Sequence, residues 1–351
     1  MIPLIACCLG AACISAALIR HMIRVGVMDV PVERSSHTRP TPKGGGIGVV
    51  VAFLLVFPIS QLWTQGDLPG ASLLLPLMGA ALLSLFSWLD DIHSYRAALK
   101  LGVQGAASMM VLAGVALAGP FINQNFHALQ ALLTAFLPGA MAALLCTLIL
   151  VATGFLWLVY TTNALNFIDG LNGLASGVMI VAALTLALVF YHAQAPAFTH
   201  AALILAVALL AFMPFNYPKA RIFMGDVGSQ GAGLVIAWLG IEAACTTRYP
   251  LIAPFVLSGV LYDVGFTLVR RALAGDALAQ AHRSHLYQLA ARSGIAPVII
   301  APIHWAFAIW GGLVCIQPAP LALRLGLILA PQLSWTALVI LRARARDLGK
   351  W

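Results

Sequence analysis

Two adjacent carboxylates in Leu89-Asp90-Asp91 are where this sequence points most directly at chemistry. Neighbouring carboxylates repel one another unless a cation shares the site. Such a pair suits Mg²⁺, which takes oxygen ligands from one or two carboxylates and completes its shell with water and phosphate. A solvated helix end paired with Arg96 and Lys100 is the plainer alternative. A second pattern lies in Asn163-Ala-Leu-Asn166-Phe-Ile-Asp169-Gly170-Leu-Asn172-Gly173. Asn163, Asn166 and Asp169 recur every third residue, so on a helix they share a broad face. Amide and carboxylate oxygens on one face form a shelf for a metal or a sugar, with helix capping as the competing reading. Asp169-Gly170 then ends the helix. In Asn216-Tyr-Pro-Lys219-Ala-Arg221-Ile-Phe-Met-Gly225-Asp226-Val-Gly228-Ser229 a single carboxylate sits among glycines, directly before an apolar run. The amides of a helix starting there favour phosphate, and Lys219 and Arg221 add cationic reach. Asp226 or Ser229 could equally be an N-cap.

Two further segments are rich in cations and histidine. Residues 29–46 hold Arg34, His37, Arg39 and Lys43 among prolines, and end in Gly44-Gly45-Gly46. Stiff, basic chain followed by glycines that let backbone N–H groups approach suits a phosphate-rich ligand. Contact with anionic lipid is the alternative. In Ala281-His282-Arg283-Ser-His285-Leu-Tyr287-Gln288 the two histidines are one turn apart on a short helix. They could bind a diphosphate, or one could act as acid or base. Zinc would need further Cys or His ligands, and these loops supply none in a suitable array. Carboxylates, amides, cations and glycines together suit Mg²⁺-assisted phosphoryl transfer.

The residues between these motifs decide what positions them. Of 351 residues, 62% are hydrophobic and 9% charged, against roughly 25% charged in a soluble domain. So little charge cannot cover a water-exposed surface, which excludes soluble, disordered and disulfide-stapled classes. Cys7, Cys8, Cys13, Cys146, Cys245 and Cys315 lie in apolar runs without Cys-x-x-Cys spacing and read as small core residues. Apolar runs long enough to cross a bilayer fall at about 2–23, 44–63, 71–89, 100–120, 140–161, 172–191, 198–215, 231–247, 251–269, 296–316 and 321–341. The spacing thus predicts an all-α polytopic membrane protein of about eleven transmembrane helices, with 128–138 as an interfacial piece. An outside (periplasmic) N-terminus and a cytoplasmic C-terminus put every Lys and Arg except Arg248 and Arg324 on the inner side. Because Arg20 and Arg24 follow the first run rather than precede it, that run reads as a retained helix, not a cleaved signal. Residues 1–351 then form a single transmembrane domain whose inner loops, at about 24–43, 90–99, 162–172, 216–230 and 270–296, carry all five motifs. A transporter or lipid flippase would hold its ionisable groups near the midplane, where only Asp263 lies even partly. A catalytically dead scaffold has no need of Asp90, Asp91 and Asp226 together.

In this order the motifs resemble the polyprenyl-phosphate N-acetylhexosamine-1-phosphate transferase family, which includes the phospho-N-acetylmuramoyl-pentapeptide transferases. His37-Thr-Arg-Pro-Thr-Pro-Lys-Gly-Gly-Gly46, Leu89-Asp90-Asp91, Asn163-x-x-Asn166-x-x-Asp169-Gly170, Phe223-Met-Gly-Asp226-x-Gly-Ser229 and the His282 loop carry the resemblance over nearly the whole chain. It implies transfer of a sugar-1-phosphate from a UDP-sugar to undecaprenyl phosphate with release of UMP, at the cytoplasmic side of a bacterial inner membrane. It implies Mg²⁺, with Mn²⁺ as a substitute. The implied partners are a UDP-N-acetylhexosamine, undecaprenyl phosphate and the lipid bilayer, with no nucleic acid and with room for a homodimer. By the same resemblance Asp90, Asp91, Asp226 and His282 are catalytic, and Asn166 and Asp226 hold metal. His37, Lys43, Asn163, Asp169, Lys219, Arg283 and His285 bind substrate. One departure bears on the sugar: much of the family shows His-x-His-His in the last loop, where this chain has His282-Arg-Ser-His285-Leu-Tyr-Gln. That form looks more like the branch starting O-antigen and other surface polysaccharides than the peptidoglycan branch.

Overall fold

The computed structural model describes residues 2–31, 39–119, 126–277 and 283–348. The chain starts with α1 (Ile2–Val25) and a two-stranded antiparallel ribbon, β1 (Met28–Asp29) with β2 (Thr41–Pro42). Long helices follow: α2 (Gly46–Gln65), α3 (Ala71–His93) and α4 (Ala97–Ala118). Short α5 (His127–Thr134) precedes α6 (Gly139–Phe167), α7 (Leu174–His192), α8 (Pro196–Asn216) and α9 (Asp226–Thr246). The rest is α10 (Ile252–Val256), α11 (Ser258–Leu273), α12 (Leu286–Arg292), α13 (Pro297–Cys315) and α14 (Leu321–Ala345).

Among the described residues, ten helices are long and apolar enough to cross a membrane: α1 to α4, α6 to α9, α13 and α14. They correspond to ten of the eleven apolar runs. The remaining run, expected as one helix over 251–269, is divided at Leu257 (φ −86°, ψ 4°) into α10 and α11. Pro254 and Gly259 flank the break, one lacking an N–H and the other a side chain. Against it, α13 brings Gly311 so close that a methyl group there would collide with the Phe255 carbonyl. The segment at 128–138 forms the separate α5, and Pro138 then starts α6 with its fixed φ of −55°.

The helices nest around α9, which is 83% buried along its apolar window, whereas α6 is 17% buried and faces outward. α9 packs on α3, α6, α7 and α2, while α1 lies on α2 and α8. Because α9 runs antiparallel to α3 and α6, its N-terminus meets their C-termini at one end of the bundle. The N-terminus of α2 arrives at the same end. Gly46 and Gly228 let the two chains touch: a Cβ on Gly46 would overlap the Gly228 backbone, and one on Gly228 would overlap Gly46 Cα. Four motifs far apart in sequence therefore share one end, because α2 and α9 start where α3 and α6 finish.

Candidate active site

At that end opens a cavity of about 1080 Å³. Its carboxylates are Asp29, Asp91, Asp169 and Asp226, and its cations Arg39, Lys43, Lys219 and Arg221. Asn166, Asn172, Asn216 and Gln288 supply amides, and Phe223 supplies the aromatic ring.

Asp91 stands in the last turn of α3. Its Oδ1 is 3.0 Å from Lys43 Nζ, which also donates to the Asp91 backbone carbonyl at 2.9 Å. Its Oδ2 is buried without a hydrogen-bond partner and faces Gly225, where a Cβ would lie 3.0 Å away. Gly225 holds a positive φ of 74° and hands the chain into α9, whose first residue is Asp226. Asp226 Oδ1 accepts from Asn166 Nδ2 at 3.0 Å, and the same amide reaches Ser229 Oγ at 2.9 Å. Ser229 donates in turn to the Gly225 carbonyl at 3.2 Å. Asn166 is thus fixed from the last turn of α6, and it orients Asp226 across the cavity. Asp169 follows in the turn after α6. Burial and the neighbouring Asp226 and Asp91 carboxylates push it well above the usual carboxylate range.

Main chain forms the strip beside these groups. The Phe223 N–H donates to Pro42 O at 2.8 Å, and the Gly45 and Gly46 N–H groups donate to Phe223 O and Met224 O, both at 2.9 Å. The glycine run was expected to offer its N–H groups to phosphate. Instead those of Gly45 and Gly46 are taken up by backbone, and the glycines serve close approach: methyl groups would strike Trp88 at Gly44 and Phe212 at Gly45.

Of the residues expected from sequence, Lys43, Asp91, Asn166, Asp169, Lys219 and Asp226 line the cavity together. The acidic pair is split. Asp90 turns to the corner between α3 and α4, where Oδ1 accepts the Tyr95 N–H at 2.7 Å and Oδ2 pairs with Lys100 at 2.5 Å. Asn163, one turn before Asn166, donates to Gln104 Oε1 and Val159 O, each at 2.8 Å, and joins α6 to α4 rather than lining the cavity. His285 is buried against Asp263, with Nδ1 3.2 Å from Oδ1. Arg283 accepts at its carbonyl from Arg292 Nη1 and does not line the cavity either. His37 and His282 lie outside the described residues. Sequence reasoning passed over Asn216, Phe223 and Gln288. Asn216 accepts the Gly173 N–H at 2.7 Å and donates to Ile222 O at 3.0 Å, clasping two walls. An amide at the end of an apolar run and an aromatic two residues after Arg221 were the signals available.

Among the described residues no three His, Cys, Asp or Glu side chains form a metal cage. Two or three convergent carboxylates, one with an orphaned buried oxygen, instead match a hard cation that shares its shell with phosphate oxygens. The cations opposite them suit phosphate, and the surrounding helices suit a lipid.

A polytopic helical bundle with carboxylates, amides and cations gathered at one end of its spans defines a membrane enzyme that handles phosphorylated substrates. The family model described as Glycosyl transferase family 4 matches residues 73–244, which hold Asp90, Asp91, Asn166, Asp169 and Asp226. The "Decaprenyl-phosphate N-acetylglucosaminephosphotransferase" of Mycobacterium tuberculosis is 31% identical over 294 residues, covering 75% of this chain and 69% of its own length. The "Probable undecaprenyl-phosphate N-acetylglucosaminyl 1-phosphate transferase" of Bacillus subtilis is 28% identical over 273 residues, 76% of this chain and 70% of the relative. A "Phospho-N-acetylmuramoyl-pentapeptide-transferase" of Staphylococcus haemolyticus is 29% identical over 204 residues, 57% of this chain. The chain belongs to glycosyl transferase family 4, the polyprenyl-phosphate N-acetylhexosamine-1-phosphate transferases.

Proposed function

We propose that this protein transfers N-acetylhexosamine 1-phosphate from a UDP-sugar to undecaprenyl phosphate, releasing UMP and starting a lipid-linked surface polysaccharide. The observation that carries the reading is the meeting of Asp91, Asp226, Asn166 and Lys43 in one cavity at the end of an apolar bundle. A phosphate oxygen of the lipid attacks the phosphorus that bears the sugar. The bond from that phosphorus to the bridging oxygen breaks, and UMP leaves with the electron pair. Asp91 and Asp226 would hold Mg²⁺, which neutralises diphosphate charge and polarises the phosphorus. Asn166 keeps Asp226 aimed at the cavity. Lys43 balances Asp91, while Lys219, Arg221 and Arg39 attract the two anionic substrates. Phe223 offers a ring face to the nucleobase.

An N-acetylhexosamine donor of modest size, rather than UDP-MurNAc-pentapeptide, is favoured by two things. Two relatives that match about three quarters of the chain, 76% and 75%, are named for N-acetylglucosamine, and the last loop departs from His-x-His-His. Counting α10 and α11 as one crossing gives eleven spans in a bacterial inner membrane, with the N-terminus outside and the cavity at the cytoplasmic face. The test is transfer of radiolabel from UDP-N-acetylglucosamine or UDP-MurNAc-pentapeptide to undecaprenyl phosphate, in membranes with Mg²⁺. Label is expected in lipid from the smaller donor, and about 10²–10³-fold less with Asp226→Asn or Asp91→Asn. Labelling indifferent to EDTA or to Asp226→Asn overturns the mechanism, and transfer from the pentapeptide donor alone overturns the donor.

A further inference from the structure

Asp263 is a deeply buried carboxylate that the transfer reaction does not use. It is 1% exposed in α11, and donors surround it. The Leu286 N–H reaches Oδ1 and the Tyr287 N–H reaches Oδ2, both at 2.9 Å. His285 Nδ1 lies 3.2 Å from Oδ1, and Thr267 Oγ1 donates to the same oxygen at 3.4 Å. Leu286 and Tyr287 are the first two residues of α12, and their amides are the orphan donors of a helix N-terminus. Asp263 therefore caps α12 from a different helix. Arg270 and Arg271, further along α11, donate to Ser284 O and Ala277 O and tie down the chain leading into α12. A helix of seven residues has no stability of its own in isolation. Its position is set by these anchors.

What α12 holds lies beside the cavity. Tyr287, 1% exposed, donates its hydroxyl at 2.8 Å to the carbonyl of Phe167, the last residue of α6. The turn that follows rests on the same phenol, since a Cβ at Gly170 would overlap Tyr287 Oη. Asp169 sits between these two contacts and lines the cavity. Gln288, the next residue of α12, lines it as well and accepts the His285 N–H at 3.3 Å.

We infer that Asp263 is a positioning residue for the cavity wall that carries Asp169, the shelf whose amide and carboxylate oxygens suit the sugar of the donor, acting through α12 and the Tyr287 hydroxyl on the Phe167–Gly170 turn. The inference rests on the proposed donor for its kinetic consequence but not for its mechanical one. Purified Asp263→Asn, Tyr287→Phe and the double variant are compared with wild type in two measurements. Hydrogen–deuterium exchange of the peptide spanning 167–172 should rise in both single variants, and that of 286–288 in Asp263→Asn. The KM for the UDP-sugar should rise about tenfold while the KM for undecaprenyl phosphate changes less than about twofold. The double variant should be no worse than Asp263→Asn alone, because the two groups act in series. Unchanged exchange at 167–172 in Tyr287→Phe, or effects that add in the double variant, would overturn the inference. Tyr287→Phe decides the matter by itself where Asp263→Asn does not fold. A wild type inert to every UDP-sugar refutes the donor assignment and leaves exchange to judge the linkage.

Discussion

Asp169 bears the conflict of charge that is easiest to measure. Its carboxyl is raised by burial and by Asp226 and Asp91, so the folded protein keeps a proton that the unfolded chain gives up. Stability contributed by this group is present at low pH. It declines as pH climbs from the ordinary carboxylate range, about 3.9, through the raised value. Asp169→Asn removes the decline. In EDTA-containing buffer the variant should melt a few degrees above wild type at pH 8, with the gap closing towards pH 4, while transfer activity falls at least about tenfold. A thermal-unfolding series across pH checks this, and a gap that ignores pH defeats it. Asp91, Asp226 and Asn166 could be read from sequence because acids and amides are scarce in an apolar chain and cost free energy where they stand, and Lys43 because it closes a basic, proline-stiffened loop that ends in glycines. Asp90, Asn163 and His285 have the same chemistry, yet they turn to Lys100, Gln104 and Asp263. Those partners lie in other elements, and no spacing along the chain encodes which side of a helix end meets them.

At the scale of elements, the approach of α2 to α9 governs how Lys43 meets Asp91. Both helices begin at glycine-containing turns whose backbones touch at Gly46 and Gly228. Gly46→Ala should push the two N-termini apart, draw Lys43 away from Asp91 and cut transfer by about 10²-fold. Gly102→Ala serves as control: a Cβ there meets nothing within 4 Å, and activity should hold. Equal losses in both variants would deny the contact its role. Ten helices were legible as uninterrupted apolar runs, because length and hydropathy alone determine them. The division of the run at 251–269 was not. Its cause is partly local, at Pro254 and Gly259, and partly the tight passage of Gly311 on α13. Nor could spacing reveal that α12 is capped by a carboxylate from α11.

For the molecule as a whole, the uneven placement of cations predicts an orientation that fusions can read. Alkaline phosphatase fused after Asp67, in the connection between α2 and α3, should be active, and the same enzyme fused after Asp347 inactive. A fluorescent protein at Asp347 should show the reverse; exchanged signals would invert the orientation. The strip joining Pro42, Gly45 and Gly46 to Phe223 and Met224 has one more implication. A boundary built from peptide groups offers a substrate no side chain to exchange: a replacement there either leaves the N–H and C=O in place or, at Gly45 and Gly46, collides with Phe212 and the Gly228 backbone. Redesign of sugar preference, in the laboratory or by drift, therefore has to be written on the walls that do carry side chains, with Asn172, Lys219 and Gln288 as the letters available.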